Sequence, residues 1–194
     1  MKKILLLSIL CFSLQGFSQE IQPTENTILS KKNEFRINVT KAFISKRIEF
    51  SYERFLNKRF STGLSVLFLQ GIYEDLPLFG SNDLNKTNNY QIIPYARYRI
   101  NKNPSKYWYF ELFSSLNSGN NKVIERLFDG NYSYYDYVQK RYTNIALGTS
   151  IGFKFYIKKK FVVDSHFGLA PNLINNSNSP DVITRLGINV GYRF

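Results

Sequence analysis

The feature of this sequence that most constrains its fold is an alternation of apolar and polar residues that recurs from Glu34 onward. In the last alternating segment, Val, Thr, Leu, Ile, Tyr and Phe occupy one face and Arg, Gly and Asn the other, with Ile183 as the single apolar exception. Because successive side chains of a strand point to opposite faces, a period of two predicts β-strands. Eight segments show the pattern: 35–40, 47–53, 59–69, 90–100, 107–116, 142–157, 160–170 and 182–194.

The connections between these segments alternate between short and long. Three are tight, at 56–59, 101–106 and 158–160, whereas 71–88, 118–141 and 171–181 are predicted to be long loops. The first hairpin, with a turn at 42–45, is the exception. Short turns at one end and long loops at the other are typical of barrels that span an outer membrane, with the short turns in the periplasm. Pro94 lies within the fourth segment and predicts a bulge or local break, because proline cannot donate to the ladder.

The composition of the two faces indicates which of them is outside. The polar face carries small residues and charges of both signs, whereas the apolar face carries almost no charge. An eight-stranded barrel has too little interior space for all the large apolar side chains. We therefore predict an all-β fold, a closed antiparallel up-and-down eight-stranded transmembrane β-barrel over 34–194. Its lumen would hold a polar network of Arg36, Glu49, Glu53, Arg97, Arg99, Glu111, Lys154, Asp164, His166, Arg185 and Arg193. A secreted soluble ligand-binding barrel of lipocalin type, with the apolar face inward, is the alternative.

The N-terminus has the form of an export signal. A positive Met1–Lys3 precedes an apolar run at 4–14, and Gly16 and Ser18 supply the small residues of a cleavage site. The sequence predicts a signal peptide at 1–18 and an N-terminal periplasmic segment at 19–33. Cys11 is the only cysteine and lies in the leader, so the mature chain offers no disulfide and no thiolate ligand.

Catalytic and cofactor sites are not predicted. His166 follows Asp164 and Ser165, but adjacent strand residues face opposite sides, so a Ser–His pair is not expected. Glu49 and Glu53 share a face about 13 Å apart, too far for shared acid–base work, which favours ion pairing. The net charge of +12 is scattered in short groups at turns without a nucleic-acid-binding motif, so no nucleic-acid partner and no cofactor are expected.

The long loops are the remaining candidates for a function. Loop 118–141 carries Tyr132, Tyr134, Tyr135 and Tyr137, and tyrosine-rich loops offer rigid contact area. We predict a non-enzymatic role, structural or in surface interaction, through the extracellular loops, with an unknown extracellular partner. The same tyrosines could instead extend the barrel rim into lipopolysaccharide headgroups. A lipid-modifying membrane enzyme is a further alternative.

The chain resembles a known family in its leader, its eight alternating segments, the strand Glu49–Phe55 leading into an Asn57–Lys58 turn, and its terminal Gly191–Phe194. In these features it is similar to small outer-membrane barrel proteins of the OmpA/OmpX type. The resemblance implies a location in the bacterial outer membrane, with lipid and lipopolysaccharide as its surroundings. It also implies that the barrel-assembly machinery reads Val190, Tyr192 and Phe194. It implies no common activity.

Overall fold

A computed structural model describes residues 28, 30–44, 46–69, 86–130, 132–174 and 179–194. The predicted signal peptide at 1–18, most of the predicted periplasmic segment at 19–33 and most of the predicted loop at 71–88 lie outside the described residues. Within the described ranges, no helix is both long and apolar enough to cross a membrane.

The described residues form a closed barrel of eight strands. Each strand pairs antiparallel with the next along the chain, and the last pairs with the first, which confirms the predicted fold class. A short helix, α1 (Val39–Ile44), follows the first strand. The strands are β1 (Asn33–Asn38), β2 (Arg47–Phe55), β3 (Phe60–Leu69), β4 (Lys86–Arg99), β5 (Lys106–Asp129), β6 (Tyr132–Ile157), β7 (Phe161–Pro171) and β8 (Val182–Arg193).

The two faces of the barrel wall are those that the alternation predicts. Charged and polar side chains are buried in the lumen, whereas Phe, Leu, Ile and Tyr side chains are exposed around the outside. In hydrocarbon, each backbone N–H and C=O needs a partner, and a closed ladder supplies one without leaving an edge. Ile183, the apolar exception in the last segment, is buried in the lumen in a cluster with Ile93, Tyr95, Phe113, Ala146 and Ala170.

One end of the barrel carries the tight turns, the start of β1 and the end of β8. The β2–β3 turn closes with the backbone N–H groups of Leu56 and Asn57 donating to the carbonyl of Phe60, as predicted. Asn33 and Phe194 exchange backbone hydrogen bonds of 3.0 and 2.8 Å at this same end. Since short turns of outer-membrane barrels face the periplasm, we assign this end to the periplasm.

The predicted loop at 118–141 is wrong, because most of it is strand. β5 and β6 pair without a register shift as far as Asp129 and Tyr132, and Gly130 lies in the connecting turn with φ of 59°. Glycine adopts positive φ without steric cost, as a two-residue hairpin turn requires. The ladder forms hydrogen bonds between backbone N–H and C=O groups whatever the side chains are. The strands therefore continue although the apolar alternation is lost at 118–122.

The predicted turn at 42–45 is also wrong. β1 ends at Asn38, and α1 occupies 39–44. The side chain of Asn38 accepts a hydrogen bond of 3.0 Å from the backbone N–H of Lys41, which caps the first turn of the helix. The connection from β1 to β2 is therefore a capped helical segment in place of a hairpin turn.

The bulge or local break predicted at Pro94 is found as a local break in the ladder between β4 and β5. Pro94 pairs in register with Leu64 of β3. On the other side, the register between β4 and β5 is the same at Ile92↔Leu116 and at Tyr95↔Phe113, with no ladder pair for the two residues between. The missing N–H removes pairing without adding a residue, and the register shift lies instead between Asn88 and Tyr90.

Candidate functional site: the lumen network and the protruding hairpin

Glu53 on β2 is a centre of the polar lumen. Its carboxylate lies 2.6 Å from the guanidinium of Arg36, 2.8 Å from that of Arg97 and 2.9 Å from the ammonium of Lys154. Ser61 donates a further hydrogen bond of 2.6 Å. All these groups are buried, so the cations compensate the desolvation of the carboxylate.

Asp164 on β7 is a second centre and shares its cations with the first. It lies 2.7 Å from Arg36 and 2.9 Å from Arg97, and the hydroxyl of Tyr109 donates to it at 2.5 Å. The two carboxylates and two guanidiniums therefore form one linked cluster across the barrel.

Glu34 belongs to this cluster, and the sequence analysis missed it. Its carboxylate accepts hydrogen bonds from Arg36 at 3.0 Å, Lys154 at 2.7 Å and Tyr156 at 2.6 Å. The available signal was parity, since Glu34 lies two residues before Arg36 and hence on the same strand face.

A second layer of the network lies farther from the periplasmic end. Glu111 accepts from Arg97 Nε at 2.6 Å, Arg185 Nε at 2.7 Å and Ser150 at 2.8 Å. Glu49 lies 2.7 Å from Lys41, on α1, and 3.7 Å from Arg185. Glu49 and Glu53 thus have separate sets of cations, with Arg185 and Lys41 on one and Arg36, Arg97 and Lys154 on the other.

His166 lies in the lumen beside Asn189, with 3.1 Å between its Nδ1 and the amide nitrogen. Ser165 points outward and is exposed, so the two side chains are on opposite sides of the wall. This placement gives no nucleophile–base pair from residues 164–166. In the described part of the chain, no group of three or more His, Cys, Asp or Glu side chains could hold a metal ion.

Aromatic rings fill the space around the lumen cations. The guanidinium of Arg97 lies 4.7 Å from the ring centre of Tyr95 and 4.2 Å from that of Tyr109. Arg185 lies 5.3 Å from the ring centres of Tyr95 and Phe113. Such stacking places cations against ring faces and fills the barrel with planar groups.

Arg99 and Arg193 lie at the periplasmic mouth, where Arg193 donates to the hydroxyl of Tyr156 at 2.9 Å and is linked through it to Glu34. Arg99 lies 5.3 Å from the ring centre of Tyr107, and Arg193 lies 3.7 Å from that of Phe55. Arg193 also donates to the backbone carbonyl of Lys31 at 2.9 Å. The predicted network therefore divides into charge clusters inside the barrel and a basic mouth.

The ends of β5 and β6 extend beyond their described pairing with the neighbouring strands. The described pairing of β4 with β5 ends at Lys86↔Asn121, whereas β5 and β6 continue for eight more pairs, from Lys122↔Gln139 to Asp129↔Tyr132. We call residues 122–139 the protruding hairpin. At about 3.4 Å per residue, it is about 27 Å long. No other described strand pairs with it.

The four predicted contact tyrosines all lie on the protruding hairpin but face two ways. Tyr135 and Tyr137 continue the outward, lipid-facing row, while Tyr132 and Tyr134 continue the lumen row. All four are exposed, Tyr132 by 81%. The four tyrosines therefore form two rows on opposite faces of a two-stranded ribbon, whereas the sequence predicted them on one loop.

Charges on the protruding hairpin are segregated by face. The outward face carries Lys122 and Arg126 together with Ile124 and Phe128, and its described side chains include no acid. The other face carries Glu125 and Asp136. Glu125 forms an ion pair with Lys140 at the base of the hairpin. The outward face is therefore basic and aromatic.

The predicted assembly residues lie on the outer surface of β8 and at its end. Val190 and Tyr192 pair with Ile37 and Phe35 of β1, and Phe194 is exposed. The rings of Tyr192 and Phe161 lie 5.7 Å apart. These side chains form part of the apolar band at its periplasmic edge.

Evidence on the fold comes from comparison with solved structures. No protein-family model matches the sequence, and no curated protein matches it. Among solved structures, the N-terminal β-barrel domain of Pseudomonas aeruginosa OprF aligns with a TM-score of 0.55 and 15% identity, over 84% of this chain and 98% of that one. Neisserial surface protein A gives 0.50 and 14% identity, over 84% and 95%. The attachment invasion locus protein Ail of Yersinia pestis gives 0.46 and 13% identity, over 84% and 99%.

At these identities the first two alignments establish a shared fold and nothing finer. The closed antiparallel ladder leaves no strand edge whose backbone N–H and C=O groups would face lipid without a hydrogen-bond partner. The exposed apolar band suits a hydrocarbon environment. The chain is a small eight-stranded β-barrel of the bacterial outer membrane.

Proposed function

We propose that this chain is a non-enzymatic surface protein of the outer membrane whose protruding hairpin contacts the lipopolysaccharide layer. The observation that carries the proposal is the continuation of the β5–β6 ladder for eight pairs past its neighbours. Isolated two-stranded hairpins are only marginally stable in water, so a hairpin of this length gains from a surface that covers it. Exposed side chains such as Phe128, at 73%, provide the apolar contact area.

The charge pattern supports lipopolysaccharide as the molecule contacted. The outward face of the hairpin continues the lipid-facing row of the barrel and combines Lys122 and Arg126 with aromatic rings. Anionic headgroups attract cations at a membrane surface, and tyrosine and phenylalanine rings suit the zone between lipid and water. The acids Glu125 and Asp136 lie on the other face, away from that layer.

The test measures binding of purified lipopolysaccharide to the full barrel in nanodiscs of zwitterionic phospholipid. We expect Lys122→Gln with Arg126→Gln to weaken binding several-fold, because both cations face the lipid side. The matched control is Glu125→Gln with Asp136→Asn, which changes two charges on the opposite face of the same ribbon. Equal affinities for the parent and the cation variant, or equal loss in both double variants, would overturn the proposal.

A second candidate is contact with an extracellular partner through the opposite face. Tyr132 and Tyr134 lie there beside the two acids, in an exposed arrangement that a basic partner could cover. In that case Glu125→Gln with Asp136→Asn would lose binding to the partner, presented on whole cells or as an immobilised ligand. Lys122→Gln with Arg126→Gln would keep it.

Export and assembly complete the proposal. We propose that residues 1–18 are removed as a signal peptide, that 19–33 remain in the periplasm, and that the assembly machinery reads Val190, Tyr192 and Phe194. The exposed positions of these three side chains along one row support this role. N-terminal sequencing of the mature protein tests the cleavage site. Removal of Phe194, compared with Phe161→Ala on the neighbouring strand, tests the assembly signal by the yield of heat-modifiable barrel.

A further inference from the structure

A cavity of about 180 Å³ lies inside the periplasmic mouth of the barrel, between the β2–β3 turn and the end of β8. We call it the periplasmic vestibule, and we propose that it binds a phosphate group. Its basic lining residues are Lys32, Lys58, Arg59, Arg97, Arg99 and Arg193.

The charge of the vestibule is unbalanced. Among the described residues, Glu53 is its single acidic lining residue, and five cationic side chains line it besides Arg97, which pairs with Glu53. The carboxylate of Glu53 already lies within 2.9 Å of Arg36, Arg97 and Lys154, so it does not offset the cations at the mouth. The turns 54–59, 100–106 and 158–160 at the same end contain no Asp or Glu. Such a one-signed concave surface raises the local concentration of anions.

A buried donor in the vestibule lacks a partner. Arg97 is 3% exposed, and its Nη2 makes no hydrogen bond in the described part of the chain. Its other nitrogens bind Glu111 at 2.6 Å and Glu53 at 2.8 Å, which fixes the guanidinium plane. A buried donor without an acceptor is unfavourable, so Arg97 favours an anion near the inner end of the vestibule.

The remaining lining favours phosphate over a single carboxylate. Guanidinium groups bind phosphate oxygens through paired N–H donors, and a phosphate offers three terminal oxygens to cations on different sides. Lys32 and Lys58 are exposed at the entrance, and no described residue pairs with either side chain. They are therefore available to bind a ligand together with Arg97.

The size and walls of the vestibule limit what carries the phosphate. A cavity of this volume holds several waters, or one phosphate with a few carbon atoms. Phe55 and Tyr107 supply aromatic walls next to the cations. Inorganic phosphate, a small phosphomonoester and the phosphate of an anionic phospholipid share the anionic phosphate oxygens that these cations would bind.

The test titrates the full barrel, in nanodiscs of phosphatidylcholine without lipopolysaccharide, with inorganic phosphate and with glycerol 3-phosphate at constant ionic strength. Calorimetry reports the affinity. We expect saturable binding that Lys32→Gln with Lys58→Gln weakens by at least about fivefold, as for lost charge-assisted hydrogen bonds. The matched control is Lys102→Gln with Lys159→Gln, which removes two cations from neighbouring turns outside the cavity lining. All variants must keep their heat-modifiable migration.

The arms of the experiment distinguish the possible sources of the bound phosphate group. Tighter binding of glycerol 3-phosphate than of inorganic phosphate identifies an organic phosphomonoester, and the reverse identifies the free ion. Binding seen only in nanodiscs that contain phosphatidylglycerol identifies a lipid headgroup, provided that it keeps the same dependence on Lys32 and Lys58. Equal weakening in both double variants, equal affinity for acetate, or no saturable binding in any arm would overturn the proposal.

Discussion

Glu53 depends on partners that are far away in the sequence. Arg97 and Lys154 come from β4 and β6, and Arg36 comes from β1. In a lumen from which water is largely excluded, removing one partner of such a cluster leaves the others charged and uncompensated. The cluster therefore couples four strands through one carboxylate.

Glu53→Gln is expected to destabilise the barrel by about 3–5 kcal/mol, the usual cost of breaking a buried ion pair by removing one partner. The measurement is urea unfolding in lipid vesicles, followed by the fluorescence of Trp108, which is the only tryptophan and faces outward. Arg54→Gln is the control, because Arg54 is the next residue and is exposed. Indistinguishable unfolding midpoints for the two variants would show that the lumen cluster contributes no stability.

At this scale the sequence predicts orientation but not partners. Parity placed Arg36, Glu53 and Asp164 on the lumen side, because one strand suffices to determine which way a side chain points. It did not show that Arg36 meets Asp164, which is 128 positions away. It also did not place Arg99 and Arg193 at the mouth of the barrel, since depth along the lumen depends on register.

The protruding hairpin shows how the same reasoning fails for an element. The sequence predicts a long loop at 118–141, between the alternating segments 107–116 and 142–157, and Asn120, Asn121 and Lys122 interrupt the apolar rows there. Outside the bilayer no hydrocarbon selects an apolar face, so a ladder can continue with polar side chains. The dipeptide Gly130-Asn131, between the ladder partners Asp129 and Tyr132, was the sequence signal that could have located the turn.

Gly130→Val is expected to loosen the tip of the protruding hairpin. Gly130 has a φ of 59°, and a side chain with a branched Cβ costs about 1–2 kcal/mol in that region. Hydrogen exchange of 122–139 should become faster while exchange of the barrel strands stays the same. Gln139→Val, in an extended and exposed position of the same ribbon, should leave exchange unchanged. Unaltered exchange in Gly130→Val would show that this turn does not hold the hairpin.

The whole molecule is stabilised by its match to a bilayer as well as by its lumen. The apolar band surrounds the barrel, whereas the protruding hairpin carries the same outward row of β5 beyond it. Leu112 and Ile124 lie on the same strand and the same face, Leu112 in the apolar band and Ile124 on the protruding hairpin. Matched substitutions at the two positions therefore compare the lipid environment with the environment outside the bilayer.

Leu112→Arg is expected to destabilise the barrel by about 2–4 kcal/mol, the cost of an arginine near the bilayer midplane on the lipid face of a barrel. Ile124→Arg should change the free energy of unfolding by less than about 0.5 kcal/mol, as for an ordinary surface substitution. Unfolding in vesicles measures both. Similar costs at the two positions would contradict the assigned position of the membrane.

The sequence by itself determined the strands within the bilayer, their inward and outward faces, the tight turns and hence the closed barrel. It could do so because lipid and lumen select side chains strand by strand, and this selection repeats every two residues. Only the tertiary structure decided that Glu34 joins the charge cluster, that Arg97 keeps an unpartnered donor beside a basic cavity, and that β5 and β6 extend past their neighbours. Those facts depend on the registers of eight strands closing on one another, which place residues more than a hundred positions apart in hydrogen-bonding contact.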